Sequence, residues 1–219
     1  MNPLRPFLLS IYPPLCRGCQ TLIIPEHIFC PLCSKEIKPL PSLILPVTPA
    51  YRLTVFAASS YDHPVRSLVT RKFSGDVGAS RQLARLMLVS TPLRMHAIDY
   101  IVPIPLHWTR YAQRGFNQAY EMACTISKDL DKPVIRLVRR RRKTTYQWKL
   151  SGKQRAENMK NAFAMSLAYR WKGTDFIKDK HIALVDDLCT TGATLIQVAR
   201  IIATCQPASI TAFVGCRAI

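Results

Sequence analysis

Acidic residues are scarce in this chain. Its 219 residues carry 31 lysines and arginines against 13 aspartates and glutamates, a formal net charge of +18. That imbalance favours a polyanionic partner, nucleic acid first and an anionic membrane surface second. A basic enzyme that takes phosphorylated metabolites is the alternative. Long apolar runs are also missing. No window reaches the roughly 20 apolar residues that cross a bilayer. The run Phe7-Leu8-Leu9-Ser10-Ile11 is stopped by Pro13-Pro14 before it makes a secretory signal. The chain is therefore expected in the cytoplasm, without a transmembrane segment, where thiols stay reduced. Internal repeats are absent too. An apolar content of 48% is enough for a packed core, and the length suits one α/β domain with a small appendage.

Cysteine, by contrast, is plentiful, and eight reduced thiols need a reason other than disulfides. Cys16-Arg17-Gly18-Cys19 and Cys30-Pro31-Leu32-Cys33 are two C-x-x-C pairs. Each pair turns the chain so that both sulfurs can face one ion, and two pairs complete the tetrahedral shell that zinc prefers. Gly18 eases the first turn. With all four positions taken by Cys16, Cys19, Cys30 and Cys33, the single zinc would be structural. A pair of redox dithiols is the competing reading, but that motif belongs in a βαβ context.

Pro39, Pro41, Pro46 and Pro49 then mark an extended connector. The predicted division is a zinc module with linker over 1–45 and a main domain over 46–219. Strands are predicted within Tyr51–Tyr61, Tyr100–Ile104, Lys180–Val185 and Ser209–Val214. Helices are predicted over Pro64–Lys72, Ala79–Leu88, Gln118–Leu130 and Ala193–Ala203. Their alternation argues for a doubly wound α/β sheet.

Ile182-Ala183-Leu184-Val185 leads into Asp186-Asp187, then Leu188-Cys189-Thr190-Thr191-Gly192-Ala193-Thr194. Open parallel sheets bind ligands beyond the carboxyl ends of their strands, where the two acids would emerge. Paired carboxylates can accept hydrogen bonds from vicinal ribose hydroxyls. Threonine hydroxyls, loop amides and the positive end of the next helix suit a phosphate, and Gly192 lets the backbone come close. An acidic cap pair that merely starts a helix is the simpler alternative. Cys189 sits inside the loop with its side chain free to point away.

This segment resembles the phosphoribosyl-pyrophosphate (PRPP) motif of type I phosphoribosyltransferases. By that resemblance Asp186 and Asp187 contact the ribose, Leu188–Thr194 cradle the 5′-phosphate, and Mg²⁺ accompanies the pyrophosphate. A wider likeness adds Pro103-Ile104-Pro105-Leu106-His107, Arg110, Arg114-Gly115-Phe116-Asn117-Gln118, and then Thr145, Gln147, Leu150, Arg155, Asn158 and Phe163. With the four cysteines and the Tyr61 to Lys72-Phe73 stretch, these pieces are similar to the ComF family of competence proteins. The resemblance implies a type I phosphoribosyltransferase-like, mainly parallel sheet with a zinc-ribbon-like N-terminal module. It also implies a link to natural transformation and to single-stranded DNA.

On the same resemblance, Leu106, His107, Arg110 and Arg114 lie in a pyrophosphate-side loop, where cations would neutralise the leaving group. Gly115 would allow close approach. The arginines could instead face solvent or DNA, His107 could be a buried polar group, and Asn117 and Gln118 could cap the next helix. The densest charge is Arg139, Arg140, Arg141, Arg142 and Lys143, followed by Tyr146 and Trp148. Cations interleaved with rings suit a single strand, whose phosphates meet charge and whose bases stack. A solvated charge run, or a loop that closes over PRPP, are alternatives. The sequence thus points to a DNA-handling protein that binds PRPP. An active phosphoribosyltransferase or an adaptor for other DNA-uptake proteins are the alternatives.

Overall fold

A computed structural model describes residues 13–70, 76–141 and 162–218. Short apolar runs form the centre of a five-stranded sheet. Its strands are β1 (Leu43–Pro46), β2 (Arg52–Ser60), β3 (Tyr100–Pro103), β6 (His181–Cys189) and β7 (Ser209–Arg217). Their spatial order is β1-β2-β7-β6-β3. β2, β7, β6 and β3 are mutually parallel, and β1 is antiparallel at the edge.

Side chains of a strand alternate between faces, and β6 shows what this does. Ala183 and Val185 enter a core on one face with α2 (Val65–Thr70), α3 (Val77–Ser90) and α5 (Gln118–Leu130). Ile182 and Leu184 enter a second core on the other face, with Leu195, Val198, Ala199 and Ile202 of α7 (Ala193–Ala203). A parallel sheet covered on both faces explains why its strands read as nearly continuous apolar runs. Among the described residues no helix is long and apolar enough to cross a membrane.

Three local features differ from the sequence reading. First, the proline-rich connector contributes β1, which pairs Leu43 with Val55 and Leu45 with Leu53. The strand spans the expected boundary between residues 45 and 46. An edge strand tolerates proline because one row of its backbone groups has no ladder partner. Second, β6 does not stop at Val185. It runs through both acids to Cys189, pairing Asp186 with Val214 and Leu188 with Cys216. Third, Arg139 and Arg140 are not in a loop. They lie in β4 (Val138–Arg140), a short antiparallel partner of β5 (Phe163–Met165).

The cysteine region is packed on the main domain. Cys16, Phe29, Cys30 and Cys33 share one apolar cluster with Val65, Leu68 and Leu83. Arg17 reaches Asp76 at 3.0 Å, and the same aspartate caps α3 by accepting from the Ala79 amide.

Candidate functional site

A cleft of about 820 Å³ opens at the carboxyl ends of the parallel strands. One wall is Asp186 to Leu195. Asp186 and Asp187 are half-buried, and the Asp186 carboxylate accepts the Asp187 amide at 2.9 Å. Thr190 and Thr191 are exposed at the turn. Gly192 has φ +73°, a left-handed conformation, and a Cβ there would run into the Leu45 side chain of β1. The left-handed backbone is what favours glycine here, and a Cβ would in addition displace the end of the Leu45 side chain. No side chain caps the start of α7, so its first amides face the cleft as the positive end of a helix.

Cys189 is part of the loop only through its backbone. Its side chain is 2% exposed in the second core. Burial pushes the thiol up to about 11, helped by the Asp186 carboxylate and opposed by the Gly192 amide and Arg217.

The opposite wall comes from Ile104–Leu106, helix α4 (Trp108–Arg114), and the start of α5. Arg110 and Arg114 both line the cleft, as does Leu106. His107 does not. It is 4% exposed and caps α4, its Nδ1 accepting from the Thr109 amide and pairing with the Thr109 hydroxyl at 2.8 Å. Gly115 ends α4 at φ +77° with its amide bonded to Tyr111 O. A Cβ at Gly115 would touch nothing within 4 Å, so the glycine serves the left-handed cap rather than close approach. Asn117 caps α5 through its carbonyl oxygen and donates to Ile104 O through its amide nitrogen.

Several lining residues lie outside the phosphate and pyrophosphate loops that the sequence marks. Tyr61 follows β2 at the same sheet edge. Gln118 is 5% exposed; its Oε1 accepts from Arg114 at 3.4 Å, while its Nε2 has no partner among the described residues. A donor left over on the cleft wall is suited to a ligand oxygen. Its place beside Arg114, directly after a capping asparagine, is the only sequence signal for it. Arg140 also lines the cleft, with its guanidinium 5.3 Å from the Phe163 ring. The basic run is thereby divided. Arg139 and Arg140 are half-buried in the hairpin and Arg141 is exposed, while Arg142, Lys143, Tyr146 and Trp148 lie outside the described residues.

The four N-terminal sulfurs all lie within 4.8 Å of one another. Cys16, Cys30 and Cys33 are buried and Cys19 is exposed. The Cys30 amide donates to the Cys16 sulfur at 3.2 Å, and the Cys33 amide to the Cys30 sulfur at 3.4 Å. Hydrogen bonds from Thr21 lower the Cys19 thiol to about 6. Burial and the three neighbouring sulfurs raise Cys33. Four sulfurs held this close disfavour simultaneous ionisation, and a divalent cation removes that conflict. A Cβ on Gly18 would come 2.7 Å from the Cys33 sulfur, so the turn must be bare. The donor set fits a closed four-thiolate metal site.

The family model of the phosphoribosyl transferase domain matches residues 112–218. Competence protein F of Haemophilus influenzae is 32% identical over 198 residues, covering 86% of this chain and 83% of that protein. The chain belongs to the ComF family. DNA utilization protein YhgH of Escherichia coli is 28% identical over 214 residues, covering 94% of this chain and 85% of the relative. Competence protein ComFC of Bacillus subtilis is 32% identical over 100 residues, 46% of this chain and 36% of that one. This ComF-family chain therefore joins a phosphoribosyltransferase domain to an N-terminal four-cysteine cluster.

Proposed function

We propose that this chain handles single-stranded DNA in the cytoplasm during DNA uptake, and that its cleft binds PRPP with Mg²⁺. The cleft carries the reading: two acids and a threonine loop on one wall face Arg110 and Arg114 on the other, and Arg140 also lines it. Asp186 and Asp187 would accept from the ribose hydroxyls. The backbone from Leu188 to Thr194, with its threonine hydroxyls, would hold the 5′-phosphate at the start of α7. Arg110 and Arg114 would meet the pyrophosphate. Mg²⁺ would supply charge to that group, and half-buried carboxylates are the hard oxygen donors it takes.

The words competence and DNA utilization in the relatives' names support the DNA part, as does the net charge of +18. The four-cysteine site would hold one structural zinc, with residues 1–45 as its module and 46–219 as the phosphoribosyltransferase domain. Exposed Leu22, Ile24 and Leu32 on that module would suit contact with other DNA-uptake proteins.

The second reading is an active phosphoribosyltransferase, favoured by the size of the cleft. Small-molecule sites occupy about 300–1,000 Å³. In that reaction the bond from the anomeric carbon to pyrophosphate breaks as an acceptor bonds to the same carbon. Arg110 and Arg114 would stabilise the departing charge.

Binding of an oligo(dT) probe across a salt series tests the main reading. Affinity is expected to fall steeply with salt, at a slope of roughly 0.7 per phosphate contacted. Exchanging Arg141, Arg142 and Lys143 for glutamine should reduce the slope. Salt-independent binding, or an unchanged slope, would count against it. Pyrophosphate release from PRPP, with and without DNA, tests the second reading.

A further inference from the structure

Helix α4 buries none of its side chains. It is nevertheless fixed at both ends, by the His107 cap and by the left-handed Gly115. A helix advances about 100° per residue, so Arg110, Gln113 and Arg114 share one face while Trp108, Tyr111 and Ala112 share the other. The first face lines the cleft. The second faces solvent, with Trp108 71% and Tyr111 53% exposed. Two large rings one turn apart, on a capped helix that gives nothing to the core, are not explained by packing. Paired exposed rings mark a contact surface.

We infer that Trp108 and Tyr111 form a base-stacking platform for single-stranded DNA, on the outer face of the helix whose inner face carries Arg110 and Arg114 into the cleft. This deepens the DNA-handling reading and rests on it, and it adds a contact carried by residues other than the Arg139–Trp148 run. Charge selects the occupant. No acidic residue lies between Asp99 and Glu121, and the chain as a whole is strongly basic. An acidic strand is attracted there, whereas a second copy of this basic chain is repelled. Single strands present unpaired base faces, which flat rings hold without strong sequence choice, while a duplex keeps its bases stacked inside. With Arg110 and Arg114 on the inner face and the rings on the outer one, a phosphoribosyl ligand and DNA would engage the two sides of one short helix.

The test compares the full-length wild type with Trp108→Ala/Tyr111→Ala and Trp108→Phe/Tyr111→Phe. Fluorescent oligo(dT) and a duplex of equal length are the probes, and PRPP calorimetry serves as the control. The alanine pair should bind oligo(dT) at least tenfold more weakly. Its salt slope and PRPP affinity should match wild type, because the phosphate-contacting cations remain. The phenylalanine pair should retain most of the affinity, which a general loss of helix structure would not allow. Wild-type binding that the alanine pair leaves unchanged would overturn the platform alone. So would tighter binding of duplex, or a change confined to self-association. A wild type that binds no oligonucleotide would overturn the DNA-handling reading and the platform with it.

Discussion

The Asn117 amide nitrogen donates to the Ile104 carbonyl at 3.1 Å, closing the segment that carries α4 across its base. The same side chain caps α5 with its oxygen. One residue thus holds the loop shut and starts the helix behind it. Asn117→Ala should lose about 1 kcal/mol of stability from the cap and weaken PRPP binding as Arg110 and Arg114 lose their fixed position. Asn117→Asp keeps a capping oxygen but cannot donate to Ile104. It should retain most of the stability and still bind PRPP more weakly. Thermal melts beside calorimetry separate the two effects. Wild-type ligand affinity in both variants would remove Asn117 from the positioning of the loop.

What was legible in the sequence was local. The apolar runs at Tyr100–Pro103 and His181–Val185, the helical spacing of Gln118–Leu130 and Ala193–Ala203, and the paired C-x-x-C motifs each carry their own signal. What was not legible depends on partners distant in the chain. Asp186 to Cys189 remain a strand because β7 pairs with them, although adjacent acids look like a strand end. Arg139 and Arg140 are strand residues because Phe163 and Ala164 come back to meet them. His107 had chemistry enough to be a ligand, and only the helix after it shows that it is a cap.

Metal removal should loosen more than the four-cysteine turns. Those cysteines share an apolar cluster with Val65, Leu68 and Leu83, and Arg17 reaches the cap of α3. Metal analysis is expected to find one zinc per chain. A strong chelator, or Cys33→Ser, should lower the melting temperature and speed hydrogen exchange in α2 and α3. A metal-free protein with an unchanged melt would refute a structural ion there.

Alkaline pH should reveal the buried Cys189. Its thiol is raised from the ordinary 9.0 to about 11, first by burial and then by the Asp186 carboxylate. The neutral thiol therefore favours the folded state. That contribution is complete below pH 9.0 and is lost as pH rises through about 11, because the unfolded chain releases the proton first. Cys189→Ala should flatten this part of the stability curve relative to wild type. In the native protein below pH 9.0, Cys189 should also react slowly with alkylating reagents, since thiolate is the reactive form. Mass spectrometry of the labelled peptides reads that directly.

The most direct measurement is calorimetric titration of Mg²⁺-PRPP into wild type and into Asp186→Asn/Asp187→Asn. The substitution preserves shape and removes both charges. It also keeps an oxygen at position 186 to accept the Asp187 amide, a contact of 2.9 Å in the wild type. The account predicts one PRPP per wild-type chain and loss of most of that affinity in the double variant, with its melting profile intact. Equal affinity in the two proteins would contradict it.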